Sequence, residues 1–238
     1  MSPASCVPQT MSDGITDLET YIYDSNNRLS QLITRSPGGA VVDTFKYSYN
    51  TAGRISAITS KYNGNPVFVY DGLGKISSVN WGASAIAAFL WDANLLKVTW
   101  SINNSVYMAE EFTFANQNVT EQKVTSYNSN GDTSSIRTTT YSNFDSNLSP
   151  EYLLSLHTGE STISFKVGGG GSPLSKNNAL QVDDVLKYYN GNSTQTYSMT
   201  NTVNLNSNNA VGELNTHLIE AGSDLGTFHI YCRYKNCK

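Results

Sequence analysis

The sequence has few charges, few helix-forming residues and no long apolar run. Charged residues make up 14% of the 238 residues, and the net charge is −4. An acidic balance of this kind argues against a surface that follows nucleic-acid phosphates, so nucleic acid is not an expected partner. No stretch approaches the roughly 18 consecutive apolar residues that a membrane-spanning helix needs, so we expect no transmembrane span.

Motifs of the common hydrolases and metalloenzymes are also missing. His157, His217 and His229 share no ligand spacing and form no His-Glu-x-x-His motif, so we expect no metal site. No Gly-x-Ser-x-Gly elbow accompanies the serines. The glycine run at 168–171 is followed by serine and proline rather than by the lysine of a phosphate-binding loop. We therefore expect no cofactor and no enzymatic activity.

Three cysteines allow one disulfide. Cys232 and Cys237 lie five residues apart near the end of the chain, and Cys6 lies near its start. Such a bridge would be either Cys232–Cys237 or one from Cys6 to either of them, because chain termini often lie close together. The alternative is three free thiols. The first residues lack the basic and apolar regions of a signal peptide. A composition poor in charge and rich in Asn, Thr and Tyr favours an exported protein over a cytosolic enzyme.

What the sequence does contain is a short internal repeat. Each copy begins with two aromatic residues that flank one other residue. These are followed by Asp or Asn, a few turn-forming residues, a basic residue and an aliphatic residue. Clear copies occupy residues 21–29, 47–55 and 68–76, and looser copies begin at Phe89 and Tyr127. Each unit can bury its apolar face only against its neighbours, so the repeat predicts one continuous structure.

Each copy predicts a β-hairpin. Aromatics alternate through residues 44–49 and so share one face of a strand. Asn50 and Gly53 supply a side chain that bonds its own backbone and a residue suited to positive φ, which together make a tight turn. The copies are spaced by about two strands and two turns, except that the Tyr127 copy breaks the rhythm. Its turn is therefore expected at the opposite edge of the sheet.

The predicted fold is all-β: an antiparallel meander of hairpin repeats that forms a large, strongly twisted or curled sheet. One short helix is expected near 149–158, because Ser149 caps it, Pro150 opens it and Gly159 stops it. The predicted organisation is an N-terminal tail at 1–15 and a single domain at 16–238, divided into the meander at 16–145, the helix and glycine-rich connection at 146–178, and closing hairpins at 179–238.

The Tyr-Asp-x-x-Gly-Arg-Ile frame resembles the YD repeats of the Rhs and teneurin proteins, which build curved or spiral β-sheets. The whole chain is similar to exported Bacteroidetes lipoproteins of unknown function, in which YD-like hairpins precede a Leu-rich segment, a Ser-Lys-Asn-Asn element and a strand ending near a cysteine. Residues 152–156, 175–178 and 231–232 stand in that order. The resemblance implies the outer membrane, cell surface or periplasm of a Gram-negative bacterium and a lipid anchor in the full-length precursor. Cys6 lacks the aliphatic residue of a lipobox three places before it.

Aromatic residues are the binding candidates: Tyr23, Tyr49, Tyr70, Trp81, Trp91 and Trp100. The first three and Trp91 recur at one strand position and should form a ladder across neighbouring strands. Such a ladder is either the core of the sheet or a partly exposed shelf on which sugar rings or an apolar ligand stack. Trp81 and Trp100 lie outside the repeated position and are the stronger candidates for exposed platforms.

The repeat aspartates Asp24, Asp71 and Asp92 are expected to support turns rather than to act as glycosidase carboxylates. Asn50 and Asn128 fill the same place without a charge, and an Asx side chain before a tight turn accepts backbone N–H bonds.

Three cations of the repeat and two pairs of adjacent acids also have structural interpretations. Three repeat cations are expected to form a solvated row or to pair with turn carboxylates: Arg28, Arg54 and Lys75. The adjacent acids Glu110-Glu111 and Asp183-Asp184 should point to opposite faces of their strands and therefore should not act as pairs.

These observations predict a non-enzymatic, exported or cell-surface module that binds a glycan or another surface protein. One alternative is a periplasmic carrier, which needs inward aromatics around a cavity in the curled sheet. A second alternative is a glycan-acting hydrolase, which needs two carboxylates that converge in a groove. The spacing of the acidic residues does not supply such a pair.

Overall fold

A computed structural model of the protein describes residues 6–235 except 63, 83, 159–162, 165–171, 174, 190, 192 and 209. The strands and the helix, in chain order, are β1 (Val7–Ser12), β2 (Asp17–Tyr23), β3 (Leu29–Arg35), β4 (Val41–Tyr49), β5 (Ile55–Thr59), β6 (Val67–Tyr70), β7 (Ile76–Trp81), β8 (Ala85–Asp92), β9 (Leu95–Ile102), β10 (Ser105–Ala115), β11 (Asn118–Tyr127), β12 (Thr133–Leu148), α1 (Pro150–Ser155), β13 (Ile163–Ser164), β14 (Ser172–Pro173), β15 (Asn177–Tyr188), β16 (Ser193–Leu205), β17 (Val211–Glu220) and β18 (Ser223–Lys235).

Sixteen strands form one closed antiparallel barrel, and β13 pairs only with β14. Chain neighbours pair in order through β12, which pairs with β15, and β1 closes the barrel by pairing with both β2 and β18. The predicted hairpin meander is confirmed. The expected twisted or curled sheet is corrected to a closed barrel, because β1 and β18 pair and so satisfy the backbone groups that two sheet edges would otherwise expose. Residues 7–12, assigned from the sequence to a tail, supply the closing strand.

The turns alternate between the two ends of the barrel, because every strand pair is antiparallel. The turns after Asp24, Asn50 and Asp71 lie at one end. Helix α1 follows β12 at this same end, which we call the plug end. The turn after Tyr127 joins β11 to β12 at the opposite, far end, as its spacing predicted.

Helix α1 is shorter than predicted but begins at the predicted cap. The Ser149 hydroxyl accepts the Tyr152 N–H at 3.1 Å, and Pro150 needs no N–H partner in the first turn. Leu153 and Leu154 are buried. Beyond the helix, the backbone oxygen of His157 accepts the Leu29 N–H at 2.8 Å, which ties this segment to the first repeat. No helix among the described residues is long and apolar enough to cross a membrane.

The inward faces of the repeat strands carry the apolar core. Its fully buried members include Leu29, Leu32, Ile55, Ile76, Val79, Leu96 and Val98. The C-terminal strands are less well covered: Phe228 and Ile230 share the inward face of β18 with Cys232, yet they are 54% and 37% exposed. The core is therefore one-sided, filling the barrel on the repeat side and leaving space beside β15–β18.

The cysteines correct one prediction. Cys6 is disulfide-bonded, whereas Cys232 is a buried thiol. Cys232 lies opposite Met11 in the β1–β18 pairing, and the alternation of β18 turns its side chain into the barrel. The suggested Cys232–Cys237 bridge is therefore wrong, and Cys237 lies outside the described residues. A sulfur in a disulfide is not available for a thioether lipid, so Cys6 is not a lipid attachment site in this form.

Candidate functional site

The four aromatics of the repeated position interlock neighbouring strands. Each is partly buried against the core and donates a hydrogen bond to a backbone oxygen of an earlier strand. The Tyr23 hydroxyl donates to Pro8 O at 2.5 Å, Tyr49 to Leu29 O at 2.5 Å, Tyr70 to Ile55 O at 2.7 Å, and Trp91 Nε1 to Ile76 O at 2.9 Å. Burial raises the pKa of the Tyr49 hydroxyl above its usual range, so it stays a donor.

A cation covers one face of each of these rings. Arg28 lies over Tyr49 at 4.5 Å from the ring centre, Arg54 over Tyr70 at 5.4 Å, Lys75 over Trp91 at 5.0 Å, and Lys235 over Tyr23 at 4.6 Å. Arg28 also forms the expected pair with its turn carboxylate, Asp24, at 2.8 Å. Because their polar atoms and one face are engaged, these four aromatics contribute to the packing of the repeats and do not form a shelf.

The structural interpretation of the repeat Asx residues is confirmed at Asp24, Asn50, Asp71 and Asn128, whereas for Asp92 it stays a prediction. Asp24 Oδ1 accepts the N–H groups of Asn26 and Arg28, both at 2.9 Å. Asn50 Oδ1 accepts the corresponding N–H groups two and four residues later, both at 3.0 Å. An aspartate and an asparagine thus do the same work, so the carboxylate charge is not what this position requires.

Trp81 and Trp100 point into the barrel towards the far end. Trp81 follows the inward Val79, and Trp100 lies opposite the buried Ala87. The two rings stack with centroids 5.6 Å apart and an interplanar angle of 28°. Both are partly buried against the core, so they form one interior aromatic pair rather than two separate exposed platforms.

A chain of hydrogen bonds continues from this pair across the next strands. Trp100 Nε1 donates to Glu110 Oε1 at 2.7 Å, and Gln122 Nε2 donates to Glu110 Oε2 at 2.9 Å. The Tyr141 hydroxyl donates to Gln122 Oε1 at 3.2 Å. Burial raises the pKa of the Glu110 carboxyl, while the two donated hydrogen bonds lower it less. Glu111 instead points outward and pairs with Lys97 at 2.8 Å, which confirms that the two acids face opposite sides.

An ion pair between a buried carboxylate and the half-exposed Arg137 side chain lies further round the interior. Asp184 is only 1% exposed and accepts Arg137 Nε at 2.7 Å and the Thr139 hydroxyl at 3.1 Å. Asp183 faces outward and accepts the Ser198 hydroxyl at 2.8 Å, so the prediction for these adjacent acids is also confirmed. The charge of Asp184 is therefore compensated within the barrel.

The space left beside the core forms a cavity of about 400 Å³. Inward residues of the later strands form its apolar wall: Phe112, Val119, Tyr141, Val182 and Leu214. Gln122 and Asn201 add amide groups, and Ser149, Glu151, Ser175, Asn177 and Asn178 line it near the plug end. Five of the lining residues face inward from five different strands of the closed barrel, so strand alternation brings them together: Phe112, Val119, Tyr141, Val182 and Leu214. Glu151 belongs to α1, and Ser149 and Ser175 lie outside the strands.

The amides on the cavity wall already have partners in the protein. Asn177 Nδ2 donates to Asn147 O at 3.1 Å and its Oδ1 accepts from Asn118 at 3.2 Å. Asn201 Nδ2 donates to Ala179 O at 2.8 Å and its Oδ1 accepts the Thr216 hydroxyl at 2.8 Å. The acceptors of these side chains are occupied, so the surface that a ligand would contact is mainly apolar.

Ser149 and the segment 175–178 carry sequence signals, a helix cap and a Ser-Lys-Asn-Asn element, but the lining residues Gln122, Tyr141 and Leu214 carry no motif. The available signal was inward alternation within β10, β11, β12 and β17, which identifies a face but not its neighbours. The cavity depends on pairings such as Phe112 with Gln122 and Leu214 with Val203.

No protein family matches the chain, and no curated protein matches it. Among solved structures, the chain is similar to a porin-like protein from Bacteroides uniformis, with a TM-score of 0.55 and 15% identity over 91% of this chain and 89% of that one. It also matches TcdB2-TccC3 and TcdB2-TccC3-TEV at TM-scores of 0.35 and 0.34 with 12% identity, covering 92% of this chain but only 13% of those chains. The first likeness supports the barrel fold, and the other two are too low to carry an argument.

Proposed function

We propose that the protein is a non-enzymatic, exported binding protein that holds a small, mainly apolar ligand inside its barrel. The observation that supports this proposal is the cavity of about 400 Å³ between the core and the C-terminal strands. Sites for small molecules commonly have volumes of roughly 300–1,000 Å³ and predominantly apolar walls. This is the carrier alternative of the sequence analysis, in a closed barrel instead of a curled sheet.

An apolar ligand suits the wall better than a glycan does. Phe112, Val119, Val182 and Leu214 offer apolar surface, whereas the amide acceptors of Asn177 and Asn201 are already used within the protein. The hydroxyl groups of a sugar lose their bonds to water on entry, and each one left unpaired costs free energy. An apolar ligand gains from burial without this cost.

The arrangement of carboxylates favours binding over hydrolysis. Glu151 is the acidic side chain among the described residues that line the cavity. Glu110 lies behind Gln122, which donates to its carboxylate. A glycosidase needs two carboxylates that flank the scissile bond, so this arrangement supports a protein that binds its ligand without chemical conversion.

Export to the cell envelope of a Gram-negative bacterium completes the proposal. The disulfide at Cys6 is typical of oxidising compartments such as the periplasm and the cell surface. The low charge and the abundance of Asn, Thr and Tyr agree with this location. A glycan or a second surface protein remains the competing partner, and the experiment below separates these cases.

The test is a fluorescence titration with N-phenyl-1-naphthylamine, an uncharged apolar probe. We expect saturable uptake by the wild type, strong loss of uptake in Leu214→Trp, which fills the cavity, and wild-type uptake in Leu225→Trp. Leu225 is 48% exposed and provides a matched control for the added indole. Circular dichroism verifies that each variant is folded.

Either of two results would overturn the proposal. One is the absence of saturable uptake by the wild type, and the other is equal uptake by folded Leu214→Trp. A glycan array on the same samples decides the competing case. Saturable glycan binding that is retained in Leu214→Trp would indicate that the protein binds a glycan on its outer surface and not in the cavity.

A further inference from the structure

Glu110 is a carboxylate inside the barrel that has hydrogen bonds but no cationic partner among the described residues. Its two oxygens accept from Trp100 at 2.7 Å and from Gln122 at 2.9 Å, and both donors are neutral. Asp184 is also an inward carboxylate, but it differs from Glu110 because Arg137 pairs with it. An ionised carboxylate removed from water gains substantially when a cation is placed beside it.

The cavity and Glu110 are separated by one side chain. Gln122 lines the cavity and also donates to Glu110 Oε2. A ligand N–H group that replaced the Gln122 amide as donor would sit at the end of the cavity and form a charge-assisted bond, which is stronger than the neutral bond it replaces. The Gln122 side chain has rotatable bonds that permit this exchange.

The surroundings of this position favour positive charge. The Trp100 indole donates to the same carboxylate and stacks on Trp81 at 5.6 Å, and an indole face attracts cations. Glu151 adds a second carboxylate on the cavity wall, and no Lys or Arg occurs among the described lining residues. The inward Arg137 is engaged with Asp184.

We propose that the ligand is a small organic cation with an apolar body. Its ammonium group takes the place of the Gln122 amide as donor to Glu110 Oε2, and its apolar part fills the cavity beside Phe112, Val182 and Leu214. This inference rests on the proposed function, since it assigns a charge to the ligand of the same cavity.

The test compares three ligands of one chain length: octylamine, octanol and octanoate. Each competes with N-phenyl-1-naphthylamine at about pH 7, where the amine is cationic and the octanoate is anionic. We expect the wild type to bind octylamine about tenfold more tightly than octanol, a ratio that corresponds to one ion pair in a partly buried site. Octanoate should bind more weakly than octanol.

Matched variants locate the preference. Glu110→Gln should reduce the octylamine-to-octanol ratio to near one. Glu111→Gln removes the same charge from the adjacent residue on the outer face and should retain the wild-type ratio. Glu151→Gln should lower the ratio by less than Glu110→Gln does.

The outcomes separate the two proposals. Equal affinity for octylamine and octanol in the wild type overturns the cation inference while leaving the apolar cavity intact. Failure of the naphthylamine probe and of all three ligands to bind overturns the proposed function itself. Loss of the preference in Glu151→Gln but not in Glu110→Gln overturns the assignment to Glu110. The wild-type comparison needs no variant, so it decides the inference even if Glu110→Gln does not fold.

Discussion

The guanidinium carbon of Arg28 lies 4.5 Å from the centre of the Tyr49 ring, although the two residues belong to successive copies of the repeat. The Tyr49 hydroxyl adds a second contact between these copies, because it donates a hydrogen bond to Leu29 O, one residue after Arg28. The same exchange joins Arg54 to Tyr70 at 5.4 Å. The basic residue of one repeat copy therefore packs on the aromatic residue of the next copy, which explains why both residue types recur together.

Removal of one aromatic hydroxyl should weaken the fold. We expect Tyr49→Phe to lower the free energy of unfolding by about 1 kcal/mol, because Leu29 O loses its donor while the ring keeps its packing. Urea unfolding measures the change. Tyr62→Phe is the control, since Tyr62 is 65% exposed, and it should change stability by less than about 0.5 kcal/mol. Equal effects of the two variants would contradict the interlocking role.

Two glycines of the repeat turns offer a matched comparison. Gly53 and Gly74 have φ values of +77° and +80°, so an alanine at either position is strained. A Cβ at Gly53 meets nothing within 4 Å, whereas one at Gly74 would overlap the guanidinium of Arg54. Arg54 Nη1 also donates to Gly74 O at 2.8 Å.

We therefore expect Gly74→Ala to cost more than Gly53→Ala. The strain common to both is about 1 kcal/mol, and displacement of Arg54 should add roughly 0.5–1 kcal/mol through loss of its hydrogen bond and ring contact. Combining each alanine with Arg54→Ala in urea unfolding tests the cause. The difference between the glycine variants should vanish in that background, and a difference that persists would exclude Arg54 as its source.

The contributions of Glu110 and Glu111 to the free energy of unfolding should depend on pH in opposite directions. Burial raises the pKa of Glu110, so its favourable contribution is present below about pH 4.5 and is lost as the pH rises through the raised value. The hydrogen bond and charge of Lys97 lower the pKa of Glu111, so its contribution is present above about pH 4.5 and is lost on acidification. The titratable groups that interact with Glu110, Tyr107 and Tyr141, have raised pKa values and stay neutral in this range.

Urea unfolding at about pH 4 and about pH 7 checks these signs. Relative to Glu110→Gln, the wild type should be more stable at the lower pH than at the higher one. Relative to Glu111→Gln, the order should reverse. The same sign for both variants would show that Glu110 does not experience the buried environment described here.

His157 should make the plug end sensitive to acid. Burial lowers the pKa of its imidazole. Its buried Nε2 has no hydrogen-bond partner in the part of the chain that the structure describes, while Nδ1 lies 3.0 Å from Asn27 O. A lowered pKa contributes stability above the unfolded value of about 6.5, and this stability is lost as the pH falls. The wild-type thermal midpoint should therefore drop between about pH 7.5 and about pH 5.5 more steeply than that of His157→Gln.

Leu156→Gln is the control for this comparison. Leu156 is 41% exposed beside His157, and its replacement alters the plug without removing a titrating group. This variant should keep the wild-type pH slope. A slope in His157→Gln as steep as that of the wild type would assign the acid sensitivity to another group.

The hairpins and their turns were predictable because their causes are local. Alternation over residues 44–49 selects a strand face, and the Asn50 side chain needs only the two backbone N–H groups that follow it in the same turn. The Ser149 cap likewise acts within one turn of helix α1. That Glu110 and Glu111 face opposite sides of their strand follows from alternation alone, whereas the side that faces the interior is set by the tertiary structure.

Closure of the barrel and the contents of its interior were decided by tertiary structure. Pairing of β1 with β18 joins residues more than 200 positions apart in the chain, and no local pattern distinguishes that pairing from two exposed edges. The burial of the Cys232 thiol opposite Met11 depends on the same closure. Glu110, Gln122 and Tyr141 meet because β10, β11 and β12 pair in one register. Local sequence thus determined the hairpins, whereas the total number of strands and their registers, summed around the ring, decided closure and the cavity.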